Sequence, residues 1–357
     1  SIFLHRVTEL KWAIDMPPEI GAAFFDTDGA ATRETFLTGA RSSLKKGRRI
    51  AAYLKQNNVK AVIVNGYSDT CRLWLCRFCP RHGMALFMRS DSNIKGERLG
   101  SAWKRWMKRM LVGWVVRQCD GILPMGTWGL EYYLKYGADR SRCHFVPAEP
   151  DYGAFENATP EAIAEFQRKR RLAPDRKRLL FSGRLIPLKR VDLLIDDFAR
   201  IAASRPDWDL VIVGDGELRE TLVAGTPAAV ANRVHWMGFL DMAELPLAYR
   251  ASSVLVLPSN REAWALVLPE AMASGMPVVA SDQVGASRDM IEEGVNGRVF
   301  RSEDLEDLVA ALADVTDPDK YPGYREATPR VFQQFRRERD PVAGVRRALT
   351  SAGLLPA

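Results

Sequence analysis

Short apolar runs recur along the chain, each ending in a polar or glycine-containing turn. "KAVIVNG", "MALFMRS", "GILPMG" and "CHFVP" fall before Pro150, and "RLLFSGR", "DLVIVGDG", "RVHWMGF", "SVLVLPSN" and "MPVVASD" follow it. Runs of this length, rich in branched residues and bounded by turns, predict buried strands. The stretches between them carry the period of a helix. In "VDLLIDDFARIAA", Val191, Leu194, Ile195, Phe198, Ile201 and Ala202 share one face. Strand–helix alternation predicts parallel sheets covered on both sides. The pattern pauses at "VPAEPDYGAFENATP" and then restarts, which divides the chain into a first domain, 1–150, and a second, 151–330. "TDPDKYPGYREATP" reads as a second loop. It leads into a last helical stretch, Val331 to Arg339, within a segment 331–357 expected to pack back toward the first domain.

Composition narrows the class. The 357 residues are 47% apolar and 27% charged, as in a globular protein. No apolar run reaches the length of a membrane span. His5 and Arg6 interrupt the only apolar stretch at the start, so no leader is expected and a cytoplasmic protein is. The chain opens on Ser rather than Met, so residues are expected to precede it. Five cysteines, an odd count, fit a reducing compartment. Cys71, Cys76 and Cys79, with Cys119 later, match the spacing of a plant-type iron–sulfur site. Yet "DTCRLWLCRFCPRHG" reads as a short helix with Leu and Trp between the thiols, and buried structural cysteines are the expectation.

Charge is divided unevenly. Residues 1–150 hold 24 Lys and Arg against 13 Asp and Glu, and the remainder 27 against 31. A basic first half suggests anionic partners or simply a solvated surface. Within it, "SAWKRWMKRMLVGWVVRQ" places Trp103, Trp106, Met107, Met110, Leu111 and Trp114 at helical spacing, with Lys104, Arg105, Lys108 and Arg109 on much of the other side. This reads as a core helix with a solvated basic face, because any soluble domain produces the same periodicity. The second reading is peripheral contact with an anionic membrane.

In open parallel sheets, ligands bind where strand ends lead into helices. "FSGRLIPLKR" supplies Gly183 and two cations, Arg184 and Lys189. "VGDGEL" supplies Gly214 and Gly216, with spacing that does not fit a dinucleotide fingerprint. "PSNREAWALVLPEAMASG" leads into a helix expected to begin near Leu266, with Pro269 tolerated in its first turn. Unpaired N–H groups there form an anion site. Glu262 lies in the loop before this helix and Glu270 about one turn inside it, so the two acids reach different parts of one ligand. Two cations and a helix start around a diphosphate would hold it strongly.

The joint order of these pieces resembles the donor-binding half of a retaining glycosyltransferase of the large family 4, with the GT-B fold. The resemblance covers about residues 145–315, through "GRLIPLK", "VGDGEL", "VHWMGFL", the two glutamates of "EAWALVLPEAMASGMPVVASD", and "GVNGRVF". It implies an α/β protein of two Rossmann-like domains whose parallel sheets face each other across a cleft. Glu262 then corresponds to the acid on the donor sugar and Glu270 to the acid on the nucleotide ribose. Arg184 and Lys189 correspond to the cations on the diphosphate, beside Gly183. Ala265, Leu266 and Val267 correspond to the helix-start backbone at the phosphates. The turn from Met237 to Leu240, with Phe239, borders the nucleobase. The resemblance further implies a nucleotide-sugar as co-substrate, no need of a cofactor or divalent metal, and an acceptor that is a glycan or lipid-linked.

Two departures qualify the resemblance. The family's Gly-rich loop after its first strand is not found, which suggests that the chain starts beyond that strand. The family's acceptor-side His is replaced by "MRSDSN", where Asp91 becomes the candidate near the reaction centre, with Arg89 and Asn93 beside it. A GT-B epimerase or phosphorylase would share the architecture, but no cofactor-lysine motif is present. Nucleic-acid binding would use the basic half, yet neither a recognition helix nor a stacking sheet face is evident, so no nucleic-acid partner is expected.

Overall fold

The computed structural model describes residues 2–3, 23–24, 36–97 and 100–356. β1 (Ile2–Phe3) and β2 (Ala23–Phe24) pair in parallel. The first domain continues through α1 (Phe36–Gln56), β3 (Ala61–Asn65), α2 (Thr70–Arg81), β4 (Ala85–Ser90), α3 (Ala102–Gln118), β5 (Gly121–Pro124) and α4 (Thr127–Lys135). β3, β4 and β5 form a parallel sheet in that order. Helix starts are set by side-chain caps: Asp69 accepts from Arg72 N (2.8 Å) at α2, and Ser101 from Lys104 N (3.3 Å) at α3. Leu86, Met88, Val112, Val115, Ile122 and Tyr133 belong to the core between this sheet and its helices.

The second domain comprises α5 (Tyr152–Glu156), α6 (Pro160–Lys169), β6 (Lys177–Ser182), α7 (Val191–Ala202), β7 (Trp208–Val213), α8 (Arg219–Gly225), β8 (Val234–Gly238), α9 (Leu245–Arg250), β9 (Val254–Leu257), α10 (Val267–Ala273), β10 (Val278–Ser281), α11 (Ser287–Met290), β11 (Gly297–Phe300) and α12 (Leu305–Val315). Its six strands are all parallel, in the order β11-β10-β9-β6-β7-β8. Numbered from its own first strand, that is the doubly wound order 3-2-1-4-5-6 read from the β8 edge. The order reverses between β6 and β9. These two strands pair only at Leu179 with Val254 and Leu180 with Leu255, so their carboxyl ends are free to part. The loops that follow them therefore flank a crevice.

α13 (Tyr321–Glu338) and α14 (Pro341–Ser351) close the chain. α14 lies against the first domain: Ala348 is buried with Phe87, Leu123 and Val146. The expected loop at "TDPDKYPGYREATP" is mostly the beginning of α13. Pro322 sits in the first turn, where no N–H bond is lost, and the interior Pro329 follows Thr328, whose hydroxyl donates to Tyr324 O (2.8 Å). "CHFVP" gives a single bridge, Cys143 with Ile122, continued by His144 N to Ile122 O (2.9 Å) and Val146 N to Pro124 O (3.0 Å). It is an irregular edge that Pro147 terminates. β11, whose "GRVF" is too short to stand out in the sequence, extends the second sheet. The expectation that the first domain starts after its first strand concerns residues outside those described.

Two further expectations are resolved by burial. The five cysteines are free and buried in the first core, where burial pushes the thiols up, Cys71 to about 11 and Cys76 to about 12. Among the described residues they form no metal-ligand group. The reading of α3 as a core helix with a solvated basic face is corrected. Its buried residues are Val112, Gly113, Val115 and Val116, while Trp103, Trp106, Met107, Met110 and Leu111 face outward. The sequence contains two apolar faces on one helix, and the smaller, branched one is the one that packs. No helix among the described residues is long and apolar enough to cross a membrane.

The return of α14 depends on close backbone approach. A Cβ at Gly344 would lie 2.0 Å from Phe145 O. Gly344→Ala, which would add about 1 kcal/mol of stability in an unobstructed helix, is expected instead to destabilise the protein by about 1–3 kcal/mol in urea titration.

Candidate active site

The loop after β6 runs from Gly183 to Arg190, and the loop after β9 from Pro258 to Leu266. They are joined by Asn260 N donating to Leu188 O (3.0 Å). Behind them, Gly214 allows the β7 loop to press against the first. Its φ is +127°, and a Cβ there would meet Gly183 O at 1.9 Å. On the other side, Glu262 N donates to Gln283 O and Gly285 N to Glu262 O, both 3.1 Å. Glu262 is thus fixed by backbone contacts on both flanks before its side chain does anything.

A cavity of about 310 Å³ opens at this crevice. From the second domain it is lined by Arg184, Lys189, Arg261, Glu262 and neighbouring loop residues; from the first, by Asp91, Ser92, Asn93, Glu97, Lys108 and Tyr132. The carboxyl end of β4 therefore faces the switch point of the second sheet. Lys189 Nζ donates to the Glu262 carboxylate, and both side chains are mostly buried. Arg184 is exposed, and no carboxylate among the described residues pairs with it.

Asp91, Arg184, Lys189 and Glu262 are thereby brought together. Glu270 is not among the residues lining this cavity. It is half-buried on α10, where Tyr249 Oη donates to its carboxylate (2.7 Å). Burial pushes Glu270 up to about 7, although the tyrosine bond pulls the other way. α10 begins at Val267, after Leu266; Leu268 N donates to Ala265 O (3.1 Å), Glu270 N donates to Leu266 O (3.2 Å) and Pro269 has no N–H, so Val267 N is the helix-start donor that remains. Leu266 is exposed, Val267 half-buried and Ala265 buried. Ala265 takes φ +80°, a left-handed conformation unfavourable for any residue with a Cβ. Gly183 sits at the end of β6 beside Lys189, and Phe239 stands exposed beyond β8, neither of them lining the cavity.

From sequence Asn93 is named only as a neighbour of Asp91 and Lys108 only on the basic helix, and Glu97 and Tyr132 are not named at all. Asn93 is buried: its Nδ2 donates to Ala263 O (2.8 Å) and Glu262 O (3.3 Å), and its Oδ1 accepts from Gly96 N (2.6 Å). It clasps the Glu262 loop from the opposite domain. Glu97 is nearly enclosed. Burial alone would raise it, but bonds from Lys135, Tyr136 and Lys108 outweigh that and bring its carboxyl down to about 2. Only Asn93 gave a sequence signal, as part of "SDSN" at a strand end. Lys108 and Tyr132 arrive from helices whose register toward the cleft depends on tertiary packing.

The sequence profile described as "Glycosyl transferases group 1" matches residues 162–327. The lipopolysaccharide core biosynthesis mannosyltransferase LpsB of Rhizobium meliloti is 31% identical over 267 residues, 69% of this chain and 70% of that protein. The chain belongs to the glycosyl transferases group 1 family. A D-inositol 3-phosphate glycosyltransferase of Geodermatophilus obscurus is 34% identical over 192 residues; the match takes in 50% of this chain but only 41% of that relative's length. Among solved structures, a sucrose-phosphate synthase from Thermosynechococcus elongatus superposes with a TM-score of 0.75 over 98% of this chain and 88% of its own, at 19% identity. At that identity the likeness shows the fold, which is GT-B. In this group 1 chain the profile match includes Arg184, Lys189, Glu262 and Glu270 and leaves out the whole β4 side of the cavity.

Glu270 supplies a test in pH. Its carboxyl ionises near 4.5 when unfolded and near 7 when folded, so across that window the folded state holds the extra proton. Its contribution to stability is complete below the window and is lost as pH rises through it. Glu270→Gln accepts the Tyr249 bond but cannot ionise. Urea unfolding should therefore show the variant gaining on the wild type as pH rises through the window, by on the order of 1–3 kcal/mol. A constant difference across that range would remove Glu270 from the account.

Proposed function

We propose that this protein transfers a sugar from a nucleotide-sugar donor to a glycan or lipid-linked acceptor, with retention of anomeric configuration. The observation that carries the reading is the convergence of Arg184, Lys189 and Glu262 on a cavity at the sheet's switch point, with Asp91 across from them. Family membership supports glycosyl transfer, and the relative named as a lipopolysaccharide core mannosyltransferase supports a hexose-type donor and a glycan or lipid-linked acceptor.

The chemistry follows from where charge develops. Breaking the anomeric C–O bond leaves its electron pair on the diphosphate. Arg184, Lys189 and the Val267 N–H at the start of α10 stabilise that charge, so no divalent metal is required. The anomeric carbon becomes electron-poor. Glu262 orients the sugar, and an acceptor hydroxyl bonds to that carbon from the face the diphosphate leaves, passing its proton to the departing phosphate oxygen. Asp91 lies on the acceptor side of the cleft. Glu270 takes the ribose, which does not change during the reaction, and Phe239 borders the base.

Calorimetry with UDP, GDP and ADP in EDTA tests the division of roles, because these ligands contain ribose and diphosphate but no sugar. One of them should bind. Glu262→Gln should bind it at least as well as wild type, since Lys189 loses its competing carboxylate. Glu270→Gln should bind it more weakly by roughly 1–3 kcal/mol, the value of a lost charge-assisted hydrogen bond. Equal losses in the two variants would refute the assignment of one acid to each end of the donor. Binding abolished by EDTA and restored by Mn²⁺ would refute diphosphate neutralisation by these cations.

A further inference from the structure

The outward face of α3 is not explained by the donor site. Trp103, Trp106, Met107, Met110 and Leu111 form a stripe in which every side chain is between 40% and 64% exposed. They lie opposite Val112, Val115 and Val116, which anchor the helix in the first core. Five large apolar side chains on one solvent-facing surface exceed what a soluble domain scatters singly. Trp103 and Trp106 stack on each other with ring centroids 4.8 Å apart, giving the stripe a continuous aromatic end.

The helices around the stripe are predominantly basic, although Arg72 pairs with Asp69 and Lys108 with Glu97. α1, α2 and α3 carry six, three and five Lys or Arg respectively and no Asp or Glu. α1 packs on α2 and α2 on α3, so these charges share one side of the first sheet. Lys104 and Arg109 flank the stripe directly. On the inner side of the same helix Lys108 reaches the cavity. One helix thus separates an apolar, cation-rimmed surface from the mouth of the cleft.

We infer that this face docks on an anionic lipid surface, with the Trp–Met stripe entering the interfacial layer and the basic rim meeting lipid phosphates. Charge complementarity names the occupant. A cation-rimmed apolar stripe suits acidic headgroups above acyl chains. A second copy of this chain would oppose like charges across the contact, and RNA would have no use for exposed Met and Leu. Docking would hold the cleft at the height of a lipid-linked acceptor; that consequence rests on the proposed reaction, whereas the docking itself does not.

The test uses the full chain and sedimentation with vesicles. Phosphatidylcholine vesicles containing phosphatidylglycerol should carry the protein down, and phosphatidylcholine alone should not. Salt should release it. Trp103→Ser with Trp106→Ser should reduce the bound fraction about tenfold or more, and Lys104→Gln or Arg109→Gln roughly fivefold each. None of these residues lines the cavity, so binding of UDP, GDP or ADP, whichever the wild type takes, should be unchanged. This separates failure of docking from failure of the donor site. Equal binding to neutral vesicles, or no binding to either, overturns the inference. So does a dimer in light scattering that the Trp variants dissociate, or retention on RNA without retention on vesicles.

Discussion

β6 and β9 share two residue pairs and then part. That divergence is the constraint on which the rest of the site depends. Strands that stayed paired to their ends would seal the switch point, and the loops carrying Arg184, Lys189 and Glu262 would leave in opposite directions over a closed sheet. Because they part early, both loops descend into one crevice and are tied there by Asn260 N and Leu188 O (3.0 Å). Glycine at 214 lets a third loop support them from behind. Sheet order thus does chemical work: it gathers cations and an acid that are 78 positions apart at their extremes, from Arg184 to Glu262.

The second domain does not complete the arrangement alone. Asn93 holds the carbonyls of Glu262 and Ala263 from across the cleft, and Trp264 Nε1 donates to Ala148 O (3.1 Å). Asp289 accepts from both Thr127 N (2.8 Å) and Thr127 Oγ1 (2.6 Å), capping α4 of the first domain from the second. Arg288 meets Glu131 at 2.6 Å and Lys95 meets Asp282 at 3.3 Å. The two ion pairs are at least partly exposed and contribute little each. The buried carboxamide and the capping carboxylate matter more, because opening the cleft leaves polar groups without partners. The orientation of Glu262 is therefore coupled to how the two domains meet, and α14 returning to Phe87 and Leu123 strengthens that coupling.

Much of this was legible in the sequence, for identifiable reasons. Eight of the nine apolar runs became strands because buried parallel strands are nearly continuous apolar segments, and α10 began where the small residues and Pro269 allowed. The second-domain candidates lie in short loops, or in Glu270's case in the first turn of the following helix, whose order is fixed locally, so spacing was enough to find them. The first-domain side of the cavity was much less legible. Asn93, Glu97, Lys108 and Tyr132 come from a loop and two helices whose mutual register is set by packing. α3 was misread because periodicity reports that a helix has an apolar face, not which of two apolar faces is covered. β11 and the start of α13 were obscured by brevity and by prolines that occupy positions without N–H partners.

The places where local rules are broken lie together. Ala265 takes a left-handed φ of +80° immediately before α10. Glu270 is held in a site that raises its carboxyl to about 7, with the Tyr249 hydroxyl as its side-chain partner among the described residues. Lys189 and Glu262 neutralise each other at the cavity wall. The first two leave the folded chain less stable than an unstrained backbone or a neutral side chain would. Such departures persist where the surrounding structure over-determines them, and here the tied loops and the Asn93 clasp supply that determination. A ligand bringing phosphate oxygens to Lys189 and hydroxyls to Glu270 would exchange unfavourable terms for favourable ones without moving the backbone. On the proposed function, the scaffold would contribute to binding by carrying that strain before the ligand arrives.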